Sequence, residues 1–217
     1  MSVNKIRKHY IIEWKKTMEL PKEFKACVEF HGHSCPGLAY GYIVAKEAMR
    51  LLDLKRSHDE EVVAICENDS CAVDAFQVLL GTTIGKGNLI IKDYGKNAYT
   101  ILDRSSKRMY RFSRTHFYNY TGKNKEEFQL LERALSAGKA SSEQKRRQKL
   151  LKTKDLIKKP FDEVFSTRAK QFTKPPYAPI SLSKPCSKCG EMTMATKLVF
   201  AKGQAELCIP CSDTNGS

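Results

Sequence analysis

The chain predicts an α+β fold in which helices pack on a mixed or antiparallel sheet, followed by a basic helical arm and a small C-terminal zinc-ribbon or treble-clef unit. Three observations predict it. Helical periodicity dominates residues 19–54 and returns at 72–80, short strand-like runs fall at 61–67 and 88–113, and the last 32 residues hold four of the eight cysteines.

The elements follow in order. Residues 19–30 read as a short amphipathic helix entered through Leu20-Pro21, with Phe24, Cys27 and Val28 on its apolar side. Pro36 suits the first turn of a second helix, where its missing N–H costs nothing, and Leu38, Tyr42, Ile43, Met49 and Leu52 recur at helical spacing behind it. EVVAICE (61–67) is β-branched and continuous enough for a buried strand. Asn68-Asp69-Ser70 then signals a helix start, and AVDAFQVLL runs to Gly81. NLIIKD (88–93) and NAYTILD (97–103) flank Tyr94-Gly95-Lys96 and read as a hairpin, with a third strand at 107–113. Two basic amphipathic helices are expected at 125–135 and 144–157, and a proline-bearing linker at 171–184.

Composition divides the chain. Residues 1–103 carry 14 Lys+Arg against 14 Asp+Glu, whereas residues 104–217 carry 24 against 10 and supply the whole net charge of +14. The expected domains are therefore a core at 1–113, a basic arm with linker at 114–180, and a four-cysteine unit at 181–217. No run approaches the roughly 18 apolar residues of a membrane span, and the N-terminus lacks the apolar core of a secretory signal, so the cytoplasm is the expected compartment.

Cys186, Cys189, Cys208 and Cys211 form two C-x-x-C pairs with 18 residues between them, the spacing of a four-thiolate zinc site. A reducing compartment and the paired spacing favour metal over two disulfides. Four thiolates leave zinc no open position, so this metal is structural. Between the pairs, residues 192–200 are expected as a strand with Lys202-Gly203-Gln204 as its turn.

The other constellation is HGHSCPG (31–37). It places Cys35 at a helix N-terminus and Cys71 in the first turn of the 72–80 helix, where partial positive charge and unpaired N–H groups lower a thiol pKa. On an extended segment His31 and His33 project the same way. A divalent metal or a thiol–imidazole pair would use these four side chains. Cys27 and Cys66 lie on apolar elements and are expected as small buried hydrophobes; His9, His58 and His116 stand alone. GTTIGKGN (81–88) fails the phosphate-loop spacing, so it is expected as a tight helix-to-strand connection, with Lys86 as a cation available to an anion near the site.

HGHSCPG, ENDSCAVDAFQVLLGTTIGKGNL (67–89) and DYGK (93–96), in that order across residues 20–112, resemble the FmdE family of formylmethanofuran dehydrogenase subunits, and the four-cysteine unit resembles the zinc finger that some members append. The resemblance implies a dimerising α+β core with a Cys/His cluster as its site. It also implies a link to the molybdenum- or tungsten-dependent chemistry of formylmethanofuran in methanogenesis, with partner subunits. Carried over by position, the cluster falls on His31, His33, Cys35 and Cys71, with Glu67, Asp69 and Asp74 as polar neighbours and Lys86 and Lys96 as cations. Where members often read Gly-Cys-Thr, this chain reads Gly81-Thr82-Thr83, a lost thiol expected to weaken soft-metal chemistry.

Two functions from different classes follow. The first is a metal-binding redox or one-carbon accessory protein or enzyme, an oxidoreductase or part of one, with catalytic candidates His31, His33, Cys35, Cys71 and Lys86. It would hold structural Zn2+ and a second divalent metal in the core. The second is a nucleic-acid-binding module using the basic arm, ranked lower because the arm lacks interleaved aromatics.

Overall fold

A computed structural model describes residues 20–200 and 205–213. The chain divides into two compact units, Met1–Pro175 and Pro176–Ser217. No helix among the described residues is long and apolar enough to cross a membrane.

In the first unit, α1 (Lys22–His31) begins after Pro21 and ends on Gly32, whose left-handed φ of 88° turns the chain back. α2 (Pro36–Leu52) follows, with Cys35 as its extended N-cap. β1 (Val62–Cys66) leads through Asn68, whose Oδ1 accepts from the Ser70 N–H and hydroxyl, into α3 (Ala72–Leu80). Then come β2 (Leu89–Ile91), β3 (Ala98–Asp103) and β4 (Arg108–Arg114), the helices α4 (Lys125–Ser136) and α5 (Ser142–Lys158), and β5 (Phe165–Ala169).

The five strands make one mixed sheet in the order β2-β1-β3-β4-β5, with β1 and β2 parallel and every other pair antiparallel. Side chains alternate across it. Val62, Ala64, Cys66, Tyr99, Ile101 and Phe112 share the main core with Phe24, Leu38, Val44 and Phe76 of the helices, while Val63, Leu102 and Met109 form a smaller cluster with Phe172. Burial on both faces explains why EVVAICE reads as continuous rather than alternating.

The expected α+β class with a mixed sheet is what the structure shows, with three differences in detail. The runs at 88–93 and 97–103 do not form a hairpin, because β1 lies between β2 and β3. The Cys66 and Glu67 carbonyls accept the N–H groups of Lys92, Tyr94 and Lys96, so the Gly-centred turn wraps the end of β1 instead of joining its own flanks. Compaction also divides the chain at 175/176, not at 113/114. Past residue 113, β5 pairs with β4 from Tyr110↔Ala169 to Arg114↔Phe165, and Leu156 of α5 is fully buried in the main core. α4 and α5 hold their own cluster of Tyr120, Phe128, Leu131 and Leu151, and a Ser141–Gln144 capping box starts α5.

In the second unit, β6 (Ser183–Pro185) pairs antiparallel with β7 (Met192–Met194), and β8 (Leu198–Phe200) with β9 (Glu206–Cys208), which runs into α6 (Ile209–Asp213). The single strand expected at 192–200 is broken by a 3-10 turn at Ala195–Lys197. The expected turn at Lys202-Gly203-Gln204 and the isolated His9 lie outside the described residues.

Candidate metal centres

Close approach of α2 and α3 builds the core centre. Gly41 of α2 lies so near the first turn of α3 that an added Cβ would meet the Ala72 carbonyl oxygen at 2.1 Å, and at Gly37 it would meet the Cys71 Cβ at 3.1 Å. The two helix starts therefore face each other with Cys35 and Cys71 between them. His31, the last residue of α1, reaches the same point from four residues before Cys35.

His31, Cys35 and Cys71 each offer one ligand atom, and these atoms lie within 4.8 Å of one another. His31 Nε2 is 3.8 Å from Cys35 Sγ. Zinc bonds of about 2.0 Å to nitrogen and 2.3 Å to sulfur at a tetrahedral angle place such atoms about 3.6 Å apart, so the donor set fits that metal. His31 Nδ1 lies 2.6 Å from Asp74 Oδ2, and Gln77 Nε2 donates to Asp74 Oδ1 at 3.0 Å. With its Nδ1–H given to Asp74, the ring presents Nε2 toward the thiols, the orientation a metal-ligating histidine takes. Asp74→Asn is accordingly expected to weaken core metal affinity about 10- to 100-fold. Competition with a chromophoric chelator measures it, and unchanged affinity contradicts the role.

The Cys35 thiol accepts the Leu38 N–H at 3.4 Å. Its pKa nevertheless stands at about 11, because burial outweighs that hydrogen bond and neighbouring Cys71 adds to the rise. A helix end alone does not activate this thiol, contrary to the expectation from position; a cation in the centre supplies the compensation that burial removes. Cys71 caps α3 by position, and its side chain makes no capping hydrogen bond.

His33 and Lys86 do not join this group. Gly32 breaks the extended spacing that would align the two imidazoles, and the His33 ring packs on His31 with centroids 4.5 Å apart. Lys86 Nζ donates to the carbonyls of His58 and Asp59, which precede β1, whereas Cys71 follows it. The length of β1, roughly 16 Å at the usual rise per residue, separates those two ends. The Gly81-Thr82-Thr83 departure likewise lies beyond the C-terminus of α3, about 13 Å along the helix from Cys71, so a thiol there would not belong to this centre. Of the other neighbours, Glu67 pairs with Arg111 at 2.7 Å, Lys96 lends its carbonyl to Asn68, and Asp69 is exposed. Cys27 and Cys66 are buried, and burial pushes their thiols up to about 11 and about 12. Sequence reading missed Gln77 and Gly41. Gln77 was legible only as the i+3 neighbour of Asp74, and Gly41 only as a glycine inside a helix.

In the second unit, Cys186, Cys189, Cys208 and Cys211 offer four sulfurs within 4.8 Å of one another, with Cys189 and Cys208 3.9 Å apart. Tetrahedral zinc sets sulfurs about 3.8 Å apart. Backbone N–H groups of Cys189, Cys208 and Lys188 point at Cys186 Sγ and pull its pKa down to about 6. Gly190, at φ 76°, closes that knuckle by donating to the Cys186 carbonyl.

A family model described as FmdE, molybdenum formylmethanofuran dehydrogenase operon, matches residues 30–173. A protein of Archaeoglobus fulgidus named as a probable S-adenosyl-L-methionine-binding protein is 32% identical over 193 residues, covering 85% of this chain and 50% of that one. The chain thus spans about half the length of the curated relative it matches. The crystal structure of an FmdE-like protein of tungsten formylmethanofuran dehydrogenase from Syntrophus aciditrophicus superposes with a TM-score of 0.56 at 21% identity, covering 89% of this chain and 91% of that one. That likeness speaks for the fold.

Proposed function

Because the chain belongs to the FmdE family of formylmethanofuran dehydrogenase proteins, we propose that it is a zinc-dependent accessory protein or enzyme of one-carbon redox metabolism, with His31, Cys35 and Cys71 as its working centre and the four-cysteine site as a structural one. The number of ligands carries the reading. Four thiolates close a tetrahedral ion, whereas three donors leave one position for water or substrate. When bound, zinc at such a position supplies Lewis acidity to the group it meets.

The chain's own residues supply the rest. Asp74 takes the Nδ1–H of His31 and fixes the ring, and Gln77 holds Asp74 in place. Loading the centre releases the Cys35 proton that burial retains. The proposed protein acts in the cytoplasm as a homodimer, alongside partner subunits of a molybdenum- or tungsten-dependent enzyme.

Elemental analysis of the full chain loaded with zinc tests this. About two equivalents are expected in the parent and about one in Cys35→Ser and Cys71→Ser, each with the four-cysteine site intact. Two equivalents retained in both variants would remove the core centre from the account.

A further inference from the structure

A second cleft of about 420 Å³ opens on the same unit, lined by Lys96, Arg111, Arg114, His116 and Phe117 among others. That volume lies within the range of small-ligand sites. Its charges are unequal. Arg111 is neutralised by Glu67 through two hydrogen bonds of 2.7 and 2.9 Å, one from each side of the guanidinium fork. Lys96 adds to the field that holds the Glu67 carboxyl below its ordinary range, but Arg111 takes both oxygens of that group. Neither Arg114 nor Lys96 forms an ion pair among the described residues: Arg114 lies over the Tyr40 ring at 5.0 Å and gives its Nε–H to the His116 carbonyl. A smaller adjoining cleft shares Arg114, His116 and Phe117, and Tyr40, whose hydroxyl is buried without a hydrogen-bond partner, lines it. Beside these groups the Phe117 ring stands fully exposed.

We propose that this cleft binds the oxyanion, carboxylate or phosphate, of a small organic ligand at Arg114 and Lys96, with the ligand's planar or apolar part against Phe117. Two cations outside any ion pair in one concavity focus a positive potential there. An oxyanion offers acceptors for the outer guanidinium nitrogens, which the bond from Nε leaves available. The cleft is tied to the metal centre through Asn68, whose Nδ2 donates to the Lys96 carbonyl at 2.5 Å while its Oδ1 holds the Ser70 turn ahead of Cys71. The anion is then a handle on the molecule presented to the His31–Cys35–Cys71 centre, a role that rests on the reading above; the binding itself does not.

Titration calorimetry of the full zinc-loaded chain with phenyl phosphate, benzoate and inorganic phosphate tests the proposal. At least one of the two aromatic anions is expected to bind, more weakly as salt rises, and the tighter of them identifies the oxyanion. Arg114→Gln and Lys96→Gln are each expected to weaken it about tenfold. Phe117→Ala is expected to weaken the aromatic anion and leave inorganic phosphate unchanged. Both cation variants should keep parental zinc content and melting temperature, which separates a lost site from a lost fold. Affinity unchanged in both variants, or no binding of either aromatic anion up to about 10 mM, overturns the proposal. Cys35→Ser keeps parental anion affinity if the cleft exists, whatever becomes of the metal reading.

Discussion

Gly41→Ala is expected to destabilise the first unit by about 3 kcal/mol or more and to empty the core centre with it. The added Cβ would lie 2.1 Å from the Ala72 carbonyl oxygen and 2.7 Å from its carbonyl carbon and Cα. Those are backbone atoms at the start of α3, which no side-chain rotation can clear, so the helices must separate. Overpacking a core by a methyl costs about 1–3 kcal/mol where side chains can yield, and here they cannot. Separation acts first on Cys71, the residue before Ala72, and carries its sulfur away from Cys35 and His31. Denaturant unfolding and zinc titration of the variant should therefore fail together. Parental zinc affinity in a Gly41→Ala protein would show that helix approach does not set the centre. Gly37→Ala is the milder companion, since the atom it meets is the Cys71 Cβ at 3.1 Å.

Chelating the structural zinc is expected to unfold the second unit while the first stays folded. Among its described residues the second unit buries only Cys186, Leu207 and Cys208 as hydrophobic core, which is too little to offset chain entropy in so short a segment. Structural zinc contributes about 10–16 kcal/mol of apparent binding free energy in comparable small sites, so removing it removes the fold. Hydrogen exchange reads this by segment. After treatment with a strong chelator, amides of β6 to β9 should lose protection, whereas those of β1, β3 and β4 keep theirs. Protection retained in β6 to β9 would mean that the unit stands without metal.

The parts of this molecule encoded locally were legible in its sequence. Pro36 after Cys35, the Asn68–Ser70 turn before Cys71 and the paired C-x-x-C spacing each announce themselves within a few residues, and the structure puts the corresponding elements there. What was not legible depends on partners distant in sequence. A glycine-centred turn between two β-rich runs looks the same whether the runs pair with each other or admit β1 between them, and only the parallel register of Ala64↔Leu89 decides it. β5 escaped notice because it buries Phe165 alone and presents Ser166, Thr167 and Arg168 at a sheet edge, so it shows no apolar alternation. The positive half of the chain thus contains a strand and a core-packed helix as well as solvated charge. His33 looked equivalent to His31 until the left-handed Gly32 separated helix from loop.

The central claim is that one chain holds two zinc sites of different ligand count. X-ray absorption at the zinc edge, on fully loaded protein and on Cys35→Ser/Cys71→Ser, tests it most directly. The account predicts an average of about three sulfurs per zinc in the parent, since one site supplies four thiolates and the other two, with an imidazole contribution that disappears in the variant as its sulfur count rises to about four. Four sulfurs per zinc and no imidazole in the parent itself would contradict it.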